Sequence, residues 1–253
     1  MWLIALGAVI AITAEAFVSW RAGRPAYTLR ETELTLALAA GAFALAYMLP
    51  PAAQWAPRFL HVTPIAMPKG WQGAALLTIL GDFTLYWSHR ASHAFRWQWA
   101  AHEAHHSSER LNFLASLRQG WTDLPAGIWL YTLPLAVLGF DASQWVAYYG
   151  INLGWQMFVH NEWAPRLGPL EWILVTPSHH RVHHARAAGP NAHNFANIFI
   201  VWDRLFGTFQ AEGEKRVAVF GVENRTFDGV FDAAFGEWRK LLTGLWQRAR
   251  ASA

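Results

Sequence analysis

Long apolar runs separated by polar segments divide the chain and predict membrane-spanning helices. They cover about residues 1–20, 33–49, 71–88, 121–139 and 143–160. Each approaches the roughly 20 residues that a helix needs to cross a bilayer. No Lys or Arg precedes Arg21, so the first run lacks the basic start of a signal peptide and we expect it to be retained. The hydrophobic pattern therefore predicts one all-α membrane bundle of about five spans, with a helical cap formed by residues 89–120 and 161–253.

Composition and the placement of charge favour the same arrangement. Hydrophobic residues make up 54% of the 253 residues and charged residues 15%, whereas a soluble domain usually carries about 25% charged residues. With the N-terminus outside and five alternating spans, all Lys and Arg except Arg58 and Lys69 fall inside, which is 18 of the 20. This positive-inside pattern predicts a cytoplasmic cap and C-terminus. The net charge of +3 gives no sign of a nucleic-acid partner.

Histidines are concentrated in the polar segments and at the end of the fifth run. Ten of the 12 cluster there, and only His61 and His193 lie elsewhere. The clustered residues are His89, His93, His102, His105, His106, His160, His179, His180, His183 and His184. Offsets of three and four residues share one face of a helix, and neutral imidazole is the common protein ligand of first-row metals. Since the chain has no cysteine, so many imidazoles predict a site for two metal ions.

Two carboxylates lie at positions where they could take part in the predicted metal site. Asp82 precedes His89 by seven residues and so lies on the same helical face; it either orients a ligand histidine or is a solvated residue near a helix end. Glu103 belongs to His102-Glu103-Ala104-His105-His106, which fits HExxH. In a zinc metalloprotease this Glu is the general base. In a two-metal oxygenase it would act at most through a neighbouring ligand.

Four stretches between Gly81 and Lys215 resemble the fatty acid hydroxylase superfamily of membrane di-iron enzymes, which includes sterol desaturases. Within it the resemblance is closest to alkylglycerol monooxygenases. The stretches are DFTLYWSHRASH, HEAHHSSERLNFLASLRQG, LGPLEWILVTPSHHRVHH and IFIVWDRLFGTFQAEGEK. The resemblance implies a membrane bundle whose cytosolic cap holds two iron ions, with the ten clustered histidines as ligands. The chain departs from the pattern at Ala94, where the alkylglycerol enzymes usually have Glu, and at AHNFAN, where relatives often read like DKNYG.

The activity implied by the resemblance is oxygen-dependent oxidation of a lipid C–H bond. An alkylglycerol ether lipid is the first expected substrate; a fatty acyl, aminolipid or sterol-like molecule is the alternative, by hydroxylation or desaturation. O₂ is the co-substrate, and electrons come from tetrahydropterin or from an electron-transfer protein. The expected partners are therefore a membrane lipid and, where no pterin serves, a donor protein. The sequence does not predict an oligomeric state.

Two rival functions use fewer of these features. The HExxH protease leaves most of the clustered histidines unexplained. A metal transporter would place its ligands near the membrane midplane between broken helices, whereas these histidines follow the ends of apolar runs.

Overall fold

The computed structural model describes residues 2–48, 67–123, 126–127, 131, 133–140, 142–186 and 192–251. The α-helices in that part of the chain are α1 (Trp2–Arg21), α2 (Leu29–Met48), α3 (Gly70–Ala94), α4 (Arg96–His106), α5 (Leu133–Val137), α6 (Ala142–Val159), α7 (Pro177–His183), α8 (Val201–Leu205) and α9 (Val230–Ala251). Extended pairing among these residues is limited to two isolated bridges, Leu174 with Phe199 and Ala185 with Phe220. The predicted all-α class is confirmed.

Helices α1, α2, α3 and α6 follow four of the five apolar runs. Helix α3 continues past the third run through His89 and His93, and it ends where Phe95 adopts an extended conformation with φ −103° and ψ 124°. Helix α4 begins at the next residue. This single-residue corner packs α4 against α3, so the histidines of both helices can face a common space.

Across the described residues, none of the helices combines the length and the hydrophobicity needed to cross a bilayer. The five spans therefore remain a prediction. Six residues of the fourth run are not described, and helix α5 is the only α-helix in the part that is. Residues 49–66, which include His61, also lie outside the described residues.

Two hydrophobic clusters connect the long helices to the cap. One contains Tyr86 of α3 and Val159 of α6, together with Phe195 and Ile200 of the cap. The other joins α4 to α9 through small side chains, and its buried members are Leu38, Ala104, Phe227, Ala233 and Ala234. Because alanines line the second contact, the C-terminal helix packs closely against the helix that carries three of the histidines.

Candidate metal centre

Nine histidines converge in two groups. The ligand nitrogens within each group all lie within 4.8 Å of one another. The five-histidine group contains His89, His93, His102, His106 and His183; the four-histidine group contains His105, His160, His180 and His184. The groups are adjacent, because the rings of His106 and His184 stack with centroids 4.3 Å apart. This arrangement suits two metal ions side by side.

Helix geometry explains how each HxxHH box is shared between the groups. His102 and His106 are four residues apart and lie in the five-histidine group, whereas His105 lies in the other. In the second box the assignment is reversed: His180 and His184 share the four-histidine group and His183 joins the other. Adjacent residues on a helix are separated by about 100°. In each box the middle histidine, His105 or His183, therefore points into the neighbouring group.

Backbone carbonyls fix the proton position of four imidazoles. The Nδ1 atoms of His89 and His183 contact the carbonyl oxygens of Phe195 and His193, each at 2.8 Å. In the other group, Nδ1 of His105 lies 3.1 Å from the carbonyl of Arg118, and Nδ1 of His160 lies 2.6 Å from that of Gln156. A carbonyl can only accept, so Nδ1 carries the proton. The lone pair of Nε2 then faces the centre of each group.

The Nε2 atoms of different histidines approach one another as ligands of one ion do. His89 and His102 have Nε2 atoms 3.1 Å apart, and the corresponding distance for His105 and His160 is 3.3 Å. The last two nitrogens are both unprotonated, so they cannot hydrogen-bond to each other. Two imidazoles at right angles about a metal, each bound at about 2.1 Å, would have nitrogens about 3.0 Å apart. The donor set therefore fits a bound cation.

Buried nitrogens and shifted pKa values support this fit. Within the described residues, the buried Nε2 atoms of His183 and His184 have no hydrogen-bond partner. Burial lowers the pKa of His89 to about 4. It also lowers the pKa well below the usual range for His102, His105, His106, His180, His183 and His184. These imidazoles are neutral at pH 7, the form that binds metal.

The two groups differ in accessibility. All four members of the second group are buried, whereas His89 and His102 of the first are partly exposed. Aromatic rings also border the first group: Phe195 and Trp99 lie 5.3 Å and 5.2 Å from the ring of His93, between centroids. The five-histidine group thus has an apolar wall and an accessible edge.

The structure places the remaining predicted residues outside both groups. His179 lies in the first turn of α7, where its Nδ1 accepts a hydrogen bond from the backbone N–H of Thr176 at 3.3 Å. His193 contributes its backbone carbonyl to His183. Thus His160 belongs to a group, while His179 and His193 have other contacts.

Both predicted carboxylates also have partners other than histidine. Asp82 is fully buried, and it accepts hydrogen bonds from the backbone N–H groups of Ile198 and Phe199 and from the indole of Trp202, at 2.8–2.9 Å. The carboxylate of Glu103 lies 3.0 Å from Nε of Arg225. Burial raises the pKa of Glu103 to about 7, although Arg225 opposes the shift. A protease base must reach a metal-bound water, and this ion pair directs Glu103 toward the segment before α9 instead.

Other buried polar residues that support the site were not singled out from the sequence. Arg181, between His180 and His183 on α7, forms a doubly hydrogen-bonded pair with Glu212 at 2.8 and 2.7 Å. Asp203 and Asn194 are fully buried beside the five-histidine group. The WDRLFGTF stretch contains Asp203 and marked its position, but nothing in the residue pattern indicated what the carboxylate contacts.

Comparison with known proteins agrees with the site. A family model described as fatty acid hydroxylase matches residues 74–208. Alkylglycerol monooxygenase of Homo sapiens is 39% identical over 189 residues, which are 73% of this chain and 41% of that protein. The Danio rerio alkylglycerol monooxygenase is 45% identical over 173 residues, or 68% and 37% of the two chains. Ornithine lipid hydroxylase OlsE of Rhizobium tropici is 29% identical over 171 residues, or 67% and 51%.

No solved structure gives a match. The chain spans between about a third and a half of the length of these curated relatives. The matched region of the family model covers more than half of the chain and contains all nine grouped histidines. The resemblance of the histidine motifs is therefore confirmed, and the chain belongs to the fatty acid hydroxylase family.

Proposed function

We propose that the chain is an oxygen-dependent lipid hydroxylase in which each histidine group holds one iron ion. The observation that carries the proposal is the pairing of five and four imidazoles in adjacent groups. Nitrogen ligands alone accept several first-row metals, so the choice of iron rests on the family. Iron, when bound, supplies the activation of O₂ that oxidation of an unactivated C–H bond requires.

The overall reaction needs an external reductant. A lipid C–H bond and O₂ yield a C–OH group and water, with consumption of two electrons and two protons. A tetrahydropterin or an electron-transfer protein supplies the electrons. The alkylglycerol monooxygenase relatives favour an ether lipid hydroxylated beside its ether oxygen, a product that breaks down to an aldehyde and an alcohol. The relative named ornithine lipid hydroxylase supports an aminolipid as the second candidate.

The protein's own residues supply positioning and a dry, apolar surface. Carbonyl contacts at Nδ1 hold four imidazoles in the orientation that metal binding needs. The target carbon is expected to approach on the side of His89 and His102, the two partly exposed ligands. Phe195 and Trp99 exclude water from that side, which favours an alkyl chain over a polar substrate.

Exposed apolar side chains support a membrane location and the five-span topology. Large hydrophobic residues on four long helices are exposed, in places by more than half of their surface. Examples are Val9, Ile10 and Phe17 on α1, Leu36 and Phe43 on α2, Trp71 and Ile79 on α3, and Val146 and Ile151 on α6. Lipid contact would account for this surface. In this arrangement the metal centre and the C-terminus face the cytoplasm and can reach a soluble reductant.

The proposal is tested by oxidation of defined lipids with ¹⁸O₂. Protein purified without oxygen and loaded with iron is mixed with an alkylglycerol, an ornithine lipid or a phospholipid, plus tetrahydropterin or a chemical reductant. One ¹⁸O atom in the ether-lipid product supports the proposal. Label in another lipid reassigns the substrate, and an alkene without label indicates desaturation. Peptide hydrolysis without oxygen consumption would contradict the proposal. His180→Ala provides the inactive control.

A further inference from the structure

The irregular segment from Ala192 to Ile198 supplies two of the carbonyls that orient imidazoles. The carbonyl of His193 accepts from His183, and that of Phe195 accepts from His89. These two histidines come from α7 and α3, and their ring centroids are 4.4 Å apart. Both belong to the five-histidine group. The position of this segment therefore sets the direction of two ligands of the same ion.

A buried carboxylate holds the segment in place. Asp203, at the start of α8, has no exposed surface. Its Oδ1 accepts from the backbone N–H of Phe195 at 2.7 Å, and its Oδ2 accepts from that of Ala196 at 2.9 Å. Hydrogen bonds to a charged acceptor are stronger than neutral ones. The Asp203 side chain thus fixes the peptide groups before and after Phe195.

A short chain of hydrogen bonds, called the relay below, connects this carboxylate to α3, the helix that carries His89. The hydroxyl of Thr208 donates to Oδ1 of Asp203 at 2.7 Å. It lies 3.0 Å from the hydroxyl of Tyr86, which in turn accepts from Arg90 at 3.1 Å. Since Tyr86 and Arg90 flank His89 on α3, the relay links the helix to the segment whose carbonyl contacts that histidine.

Asn194 fixes the residue between the two carbonyls. It adopts a left-handed conformation with φ +60°, which asparagine tolerates better than most residues. Its side-chain N–H groups donate to the carbonyls of His179 and Gln210, at 3.1 and 2.7 Å. Its own N–H donates to the carbonyl of Thr208 at 3.0 Å. The segment is therefore anchored on both sides of the His193–Phe195 stretch.

We propose that Asp203 is a positioning residue for the five-histidine group, acting through the Phe195 backbone on His89. The four-histidine group receives its carbonyl contacts from Arg118 and Gln156, which lie outside this segment. Loss of the Asp203 carboxylate should therefore weaken metal binding by the five-histidine group and leave metal binding by the four-histidine group unchanged. The inference rests on the proposed function, because it requires that the histidines bind metal.

Cobalt binding by the purified protein, measured group by group, tests the inference without reference to turnover. In a His180→Ala, His184→Ala background, tight binding reports the five-histidine group. In a His93→Ala, His102→Ala, His106→Ala background, which leaves two imidazoles of the five-histidine group, it reports the four-histidine group. Asp203→Asn is added to each, because an amide puts an N–H against one of the two backbone donors. We expect the dissociation constant for Co²⁺ to rise about 10–100-fold in the first background and to stay nearly unchanged in the second.

Two results would overturn the positioning role while leaving the proposed function intact. Equal weakening in both backgrounds would show a general structural role, and no weakening in either would show that the contact is dispensable. If the wild-type protein takes up no cobalt at all, both the proposed function and this inference are contradicted. Thr208→Val, which removes one donor to Asp203, tests the same selectivity with less disruption should Asp203→Asn fail to fold. A smaller weakening confined to the first background is expected for it.

Discussion

At the scale of single residues, side-chain contacts distinguish a histidine that belongs to a metal group from an adjacent histidine that does not. His179 and His180 are adjacent, and both stood among the expected ligands. Nε2 of His180 points to Nε2 of His160 at 3.0 Å, whereas Nδ1 of His179 accepts a backbone hydrogen bond at the start of α7. One imidazole has its lone pair toward the centre, and the other uses it to cap a helix.

This difference predicts opposite results for two alanine substitutions. His180→Ala should abolish lipid oxidation and release metal from the four-histidine group. His179→Ala should retain both metal ions and lower the free energy of unfolding by about 0.5–2 kcal/mol, the usual cost of losing a helix cap. Metal content and thermal unfolding of the two variants check this. Loss of metal from His179→Ala would show that it is a ligand after all.

Glu103 allows a second test at this scale. Within the part of the chain that the structure describes, its carboxylate pairs with Arg225 and belongs to neither histidine group. Glu103→Gln should therefore reduce oxygen-dependent lipid oxidation by at most about tenfold, the lower end of the effects seen for residues that act through a ligand. Comparison with His180→Ala in one assay provides the measurement. A loss as complete as that of His180→Ala would mean that Glu103 takes a direct part in the chemistry.

The sequence predicted the grouped histidines better than the residues that support them, for a physical reason. Spacing along a helix reports which side chains share a face, and that sufficed for His102, His106, His180 and His184. It could not show that His105 and His183 each join the group opposite to that of the other histidines in their box, because this depends on how α4 and α7 face each other. Asp82 contacts backbone N–H groups 116 and 117 residues away, and Asp203 contacts those of an irregular segment. No residue pattern records either set of contacts.

At the scale of elements, α7 is too short to be stable alone. It has seven residues, and isolated helices this short are unstable in water. Arg181, which has no exposed surface, connects the helix to the rest of the cap. Its guanidinium pairs with Glu212 and donates to the carbonyls of Asn161 and Ala164. These carbonyls closely follow His160, so one cation links two elements of the four-histidine group.

Removal of the acidic partner should therefore destabilise the protein and this group together. Glu212→Ala leaves the Arg181 charge buried without its carboxylate, which typically costs about 3–5 kcal/mol. Lys240→Ala is the matched control, because Lys240 is half exposed and exposed pairs contribute about 0–1 kcal/mol. Denaturant unfolding and metal content measure both effects. Equal stability of the two variants would contradict the role assigned to the buried pair.

The apolar runs predicted most of the long helices but not all of their ends. Helix α3 extends beyond its apolar run because polar residues, including His89 and His93, continue the helix to Ala94. The run that includes residues 133–137 has a short helix in its described part. Hydrophobicity indicates where apolar surface must be covered, whereas the end of a helix depends on local contacts such as the Phe95 corner.

At the scale of the whole molecule, the central question is orientation in a membrane. The proposed five-span topology puts all basic residues except Arg58 and Lys69 on one side, 18 of the 20. A reporter fused after the last residue should therefore be cytoplasmic. A reporter inserted at position 141, which lies outside the described residues, should be external. Paired reporters active on one side of the membrane only, such as alkaline phosphatase and a fluorescent protein, check both sites. A reversed pattern would refute the five-span topology.

We propose that two adjacent histidine groups each bind one iron ion. This is measured most directly by the iron content of protein purified without oxygen from iron-supplied cells, for the wild type and for a variant of each group. We expect about two irons per chain in the wild type. We expect about one when His180 and His184 are replaced by alanine, and about one when His93, His102 and His106 are replaced instead. A single zinc ion with hydrolytic activity, or loss of all metal from either variant, would contradict the proposal.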